Sequence, residues 1–130
     1  MKKLITGFFV FSLLFGATNA AFAASEIEPN DTWDQAQRIT VGSTITAVGD
    51  MDRFTFVPTK SGAVSIKTTV NGTDRTIFIG SVFYEQSNEL AKYNDGNTMT
   101  FNVEAGKTYK LVYWEMLSSG TPYSFTVSYN

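Results

Sequence analysis

Glu26, Glu28, Asn30 and Asp31 crowd one short stretch of the sequence, and Asp50 and Asp52 crowd another, in a chain that is only 17% charged. Alternate side chains of an extended backbone share a face, so Glu26, Glu28 and Asn30 form one comb of oxygen donors and Asp50 and Asp52 a second. If the fold lays the two combs side by side, their like charges repel, and a hard divalent cation is the natural counter-charge. Calcium takes about 6 to 8 oxygens at roughly 2.3–2.6 Å in irregular geometry, which carboxylates, an Asn amide and backbone carbonyls supply. Magnesium wants a tighter octahedron and keeps its waters. Neither cluster has the spacing of an EF-hand loop. The competing reading makes Pro29-Asn30-Asp31-Thr32 a turn and helix cap, and Gly49-Asp50-Met51-Asp52 a solvated loop.

Other chemistry is largely excluded by composition. The chain contains no His and no Cys, which removes zinc sites of the usual ligand types, Ser-His and Cys-His nucleophile systems, disulfides and thiol redox chemistry. What survives is a hydrolase built on two carboxylates, Asp50 with Glu85 or Glu115. That reaction needs one carboxyl of raised pKa in a cleft, and nothing in the sequence indicates a cleft, so no enzyme is expected. The net charge of −2 offers no basic surface for phosphate backbones or anionic lipid, so neither nucleic acid nor membrane is an expected partner.

The elements that must position the two combs begin after a leader. Lys2 and Lys3 precede an apolar run from Leu4 to Phe15 and then Ala21-Phe22-Ala23, the charged head, greasy middle and A-x-A site of a secretory signal peptide. The apolar run is too short for a spanning helix, which needs about 20 residues. Residues 1–23 are therefore expected to be removed, leaving residues 24–130 as one exported domain with no membrane contact.

From Ser43 onward, runs rich in Thr, Val, Ile, Phe and Tyr alternate with turn residues. The expected strands are Ser43–Val48, Arg53–Val57, Ala63–Val70, Thr76–Tyr84, Glu89–Tyr93, Thr98–Val103, Thr108–Met116 and Tyr123–Tyr129. Alternation buries Phe54 and Phe56, Val64 and Ile66, Met99, Phe101 and Val103, and Tyr123, Phe125, Val127 and Tyr129, leaving Ser124, Thr126 and Ser128 on the opposite face. About eight strands with one polar face imply an all-β, antiparallel sandwich of two sheets. Residues 31–38 are expected to form one or two helical turns, capped by Asp31 or Thr32.

These pieces, in this order, resemble the bacterial pre-peptidase C-terminal domain, which includes the collagen-binding modules of clostridial collagenases. The resemblance rests on Glu28-Pro29-Asn30-Asp31-Thr32 with Ala36, Gly49-Asp50-Met51-Asp52-Arg53-Phe54-Thr55-Phe56, Ser61-Gly62 before Val64-Ser65-Ile66, Gly106-Lys107-Thr108-Tyr109 and Pro122-Tyr123-Ser124-Phe125-Thr126-Val127. It implies a jelly-roll-like sandwich that is non-catalytic, secreted and calcium-binding. The ligands it implies are Glu26, Glu28, Asn30, Asp31, Asp50 and Asp52. Such modules are usually appended to a peptidase, whereas Glu26 here follows closely on the leader, so calcium is expected to clamp a terminal strand onto the sheet.

Collagen-binding members use exposed aromatic and apolar side chains of the strand that matches Thr108–Met116. If Tyr109, Leu111 and Tyr113 fill the core, Val112, Trp114 and Met116 form an outward apolar patch of the kind that binds partners. The alternative leaves that strand buried on both sides or capped by Leu117–Pro122. Trp33 is expected to pack as a lid on the sandwich edge. The expected ligand is an extracellular protein or polysaccharide, collagen-like matrix or surface glycan. The alternative is that the domain is the accessory or inhibitory partner of a secreted peptidase.

Overall fold

A computed structural model describes residues 23–71, 77–84, 88–94, 98–116 and 120–130. The expected leader, apart from Ala23, and Glu85 lie outside the described residues. Ten strands follow in order: β1 (Ala23–Ser25), β2 (Gln37–Ile39), β3 (Thr44–Val48), β4 (Met51–Phe56), β5 (Gly62–Val70), β6 (Ile77–Tyr84), β7 (Asn88–Asn94), β8 (Met99–Val103), β9 (Tyr109–Met116) and β10 (Pro122–Tyr129). They form two five-stranded sheets, of order β1-β3-β10-β5-β8 and β2-β4-β9-β6-β7.

Strands β3 to β10 follow the order of a jelly roll, the eight-stranded solution in which two Greek keys close a sandwich, switching sheets at every step except the β6–β7 hairpin. The sheets are mixed rather than purely antiparallel, because β1 pairs parallel with β3 and β2 pairs parallel with β4. Both extra strands are only three residues long, and each lies at the edge of its sheet. The helical turns expected over 31–38 shrink to one 3-10 turn, Trp33–Gln35. Beyond it, backbone pairing of Gln37, Arg38 and Ile39 with Phe54, Thr55 and Phe56 overrides the weak local helical preference.

The expected alternation sets the core. Phe54, Phe56, Val64, Ile66, Leu111, Tyr113, Phe125 and Val127 are all buried, as are Met99, Phe101 and Val103. Each large apolar group contributes about 1.5–3 kcal/mol relative to exposure. Tyr129, expected inside, is only half-buried because its hydroxyl accepts the Thr59 N–H at 2.9 Å at the sandwich rim. At the centre the Tyr113 ring packs 5.0 Å from both Tyr123 and Phe125, and its hydroxyl meets Thr68 Oγ1 at 2.6 Å. Gly80, paired with Tyr113 across β6 and β9, makes this possible, since a Cβ there would fall 2.6 Å from Tyr113 Cε1.

Candidate metal centre

Residues 26–30 cross from the edge of the first sheet to the second. The Glu26 N–H bonds Thr46 O at 2.9 Å, extending the pairing of β1 with β3 by one residue, and Glu26 Oε1 accepts the Val48 N–H at 2.6 Å. Ile27 N donates to Gln37 Oε1 at 2.8 Å, which ties the segment to β2. At the far end Asn30 O accepts the Arg53 N–H at 3.1 Å, placing Asn30 against the start of β4. The Asn30 side chain is fully buried, and its Nδ2 donates to Glu26 Oε2 at 3.4 Å.

The second comb arrives from the turn between β3 and β4. Asp50 is exposed, and its Oδ1 accepts the Met51 N–H at 2.5 Å. Asp52 lies on β4 in the inward row of Phe54 and Phe56, and is itself completely buried. Its Oδ2 accepts a hydrogen bond from the Tyr123 hydroxyl of β10 at 2.5 Å, so this pair joins the two sheets at one end of the sandwich.

All six residues singled out in the sequence meet here. Carboxylate oxygens of Glu26, Glu28 and Asp52 lie within 4.8 Å of one another, and so do those of Glu28, Asp31 and Asp50. Glu28 belongs to both groups. Two buried acceptors, Asn30 Oδ1 and Asp52 Oδ1, have no hydrogen-bond partner, a costly arrangement for oxygens removed from water. Carboxylates crowded around the Asn30 amide oxygen and around Asp52, which is acceptor-only once its proton has left, form a donor set that fits a hard cation such as calcium.

The electrostatics show what the cluster costs without a counter-charge. Burial, followed by the neighbouring Asp50 carboxyl, pushes Asp52 from its ordinary 3.8 up to about 9; the Tyr123 hydroxyl bond works in the opposite direction. Burial and the charges of Glu26 and Asp50 also raise Glu28. Burial beside the Asp52 carboxylate raises Tyr123, which keeps its phenol protonated as a donor.

Several local expectations are corrected. Thr32 occupies the N-cap position, but its side chain makes no capping bond; its hydroxyl is turned to Gln35 Oε1 at 3.2 Å. The Glu115 carboxylate is buried and accepts the Thr121 N–H at 3.1 Å as well as the Thr121 hydroxyl, so it braces the return into β10. Tyr123 was expected only as core; the parity of Asp52 with Phe54 and Phe56 was the signal that this carboxylate points inward and needs a donor there. A cleft of about 230 Å³ at the other end of β9, lined by Tyr84, Leu90, Asn102, Glu104, Lys107 and Tyr109, contains none of the six.

Strand β9 faces inward through Tyr109, Leu111 and Tyr113 and outward through Val112, Trp114 and Met116. Trp114 is 45% exposed, while Val112 and Met116 are half-buried. Trp33 is 38% exposed and its ring meets two cations, with its centroid 5.3 Å from the Arg53 guanidinium and 5.1 Å from Lys110 Nζ.

No protein-family profile matches the chain, and no curated protein matches its sequence. Among solved structures it is similar to the pre-peptidase C-terminal domain of a collagenase from Bacillus anthracis, with a TM-score of 0.58 and 22% identity. The match covers 78% of this chain and 99% of that domain. The two share the β-sandwich fold.

Proposed function

We propose that this chain is a secreted, non-catalytic binding module of the pre-peptidase C-terminal kind, stabilised by calcium, which holds an extracellular protein or polymer on the outer face of its second sheet. The observation that carries the calcium reading is the pair of buried, unpartnered oxygens, Asn30 Oδ1 and Asp52 Oδ1, set among the carboxylates of Glu26, Glu28, Asp31 and Asp50. These six residues would hold the ion. Calcium there supplies positive charge that offsets the crowding and fixes residues 26–30 across both sheets. The shared fold of a collagenase domain supports an accessory role beside or apart from a peptidase, and the exposed Trp114 with Val112 and Met116 supplies the apolar contact.

The test is binding to immobilised triple-helical collagen-model peptide and to surface glycan, in calcium and in EDTA, with Trp114→Ala alongside. Retention on either matrix in calcium, lost in Trp114→Ala, is the expected result. Retention unaffected by Trp114→Ala moves the ligand to another face. Retention of a secreted peptidase alone would establish the accessory-partner reading in its place.

A further inference from the structure

The outer face of the second sheet carries unpaired positive charge among its apolar groups. Strand register sets three rows across it: Met51, Trp114 and Ile79; Arg53, Val112, Ser81 and Lys92; and Arg38, Thr55, Lys110, Phe83 and Glu89. Among the described residues the ion pair is Lys107 with Glu104, elsewhere on the molecule, so Arg38, Arg53, Lys92 and Lys110 form no ion pair with Glu89, the one carboxylate in these rows, and outnumber it. Arg53 is half-buried and its Nε has no hydrogen-bond partner. Trp33 lies within reach of Arg53 and Lys110 and binds both cations through its ring. The chain as a whole is acidic, so this concentration of cations runs against its overall balance.

Cations held at neighbouring positions beside apolar side chains repel one another in a medium of lowered dielectric, and an anionic group placed among them is attracted more strongly than in water. The partner must therefore bring negative charge. It must also bring apolar side chains, because Met51, Ile79, Val112 and Trp114 lie in rows adjoining the cations. A polysaccharide supplies hydroxyls and carboxylates but no aliphatic groups to cover Met51, Ile79 and Val112, whereas a polypeptide supplies both. The central strands of this sheet are already paired on each side, so recognition is through side chains and not by addition of a strand.

We infer that the partner on this face is an acidic protein segment, with Asp or Glu side chains flanking apolar ones, whose carboxylates meet Arg53, Lys110 and Lys92 while its apolar groups cover Trp114 and Val112. This rests on the reading of that face as the ligand face, and adds the class of the ligand. Trp33, braced by two of the cations, is the aromatic wall of the contact.

The experiment uses the purified protein in calcium and three fluorescein-labelled peptides of one apolar pattern, with Glu, Gln or Lys at the intervening positions. Polygalacturonate serves as an acidic polysaccharide competitor, and binding is read by fluorescence anisotropy. The Glu peptide is expected to bind at least about tenfold more tightly than the Gln peptide, and the Lys peptide weakest; high salt should erase the difference. The preference should disappear in the double variant Arg53→Gln, Lys110→Gln. Lys92→Glu, at an exposed position on an edge strand, keeps the test independent of any folding defect in the double variant and should weaken the Glu peptide alone.

Equal binding of the Glu and Gln peptides, both lost in Trp114→Ala, overturns the acidic partner and leaves the face in place. Binding of the Glu peptide that is indifferent to Trp114→Ala and to all three charge changes overturns both. Displacement of the Glu peptide by polygalacturonate at lower concentration than by unlabelled peptide overturns the choice of protein over polysaccharide, and absence of binding by every peptide overturns the inference.

Discussion

Replacing Asp52 with Asn separates the cost of this buried carboxyl from its use. Asn keeps the shape and the oxygen that accepts the Tyr123 hydroxyl, but it cannot ionise. In the metal-free protein Asp52 is held protonated up to about 9 against an ordinary 3.8. Between those values the folded chain carries a proton that the unfolded chain has released. Stability from this group is therefore complete below the unfolded pKa and is lost as pH rises through the folded one. The slope for one proton is about 1.4 kcal/mol per pH unit, so moving from pH 5 to pH 7 in EDTA should cost about 2–3 kcal/mol. For a domain of this size that is a fall in Tm on the order of 10 °C. Thermal unfolding followed by circular dichroism should show this decline in the wild type and a flatter line in Asp52→Asn. In saturating calcium the order should reverse, with the wild type more stable and nearly independent of pH over that interval, because the cation replaces the proton. Parallel pH profiles of the two proteins in EDTA would refute the assignment of the buried proton to Asp52.

Gly80→Ala places a methyl 2.6 Å from the Tyr113 ring and should cost about 1–3 kcal/mol, read from the urea midpoint at unchanged m-value. Trp114→Ala should leave stability within about 0.5 kcal/mol, since the side chain is 45% exposed, while abolishing matrix retention. Glu28→Gln, at the residue shared by both carboxylate groups, should weaken calcium binding by at least about tenfold in a calorimetric titration without unfolding the metal-free protein. Deleting residues 24–30 should remove the calcium response altogether while the eight jelly-roll strands still give a cooperative unfolding transition.

The eight jelly-roll strands were legible because alternating Thr, Val, Ile, Phe and Tyr between turn residues repeats the two-residue period of a half-buried sheet, as Tyr123, Phe125 and Val127 show against Ser124, Thr126 and Ser128. Strands β1 and β2 were not legible. Ala23–Ser25 is exposed throughout and has no pattern of its own, and Gln37–Ile39 becomes a strand only because β4 offers its edge. In the site, the two acidic combs stood out by residue type and spacing, and the fold brings all six residues together. The donor to Asp52 did not stand out, since Tyr123 lies 71 residues away and looks like any other core aromatic. The cationic setting of Trp33 was hidden for a similar reason. Arg53 and Lys110 become neighbours of its ring only after β4 and β9 pair and the 3-10 turn lays Trp33 over them.

The most direct test of calcium stabilisation is thermal unfolding of residues 24–130 in 1 mM calcium and in excess EDTA at neutral pH. Calcium that binds the native state with a Kd of about 10 μM adds roughly 2.7 kcal/mol at that concentration, so Tm should rise by on the order of 10 °C. Magnesium at the same concentration should give a far smaller rise. Superimposable transitions in calcium and EDTA would contradict the calcium site and leave the carboxylates of residues 26–52 as turns, caps and a buried proton.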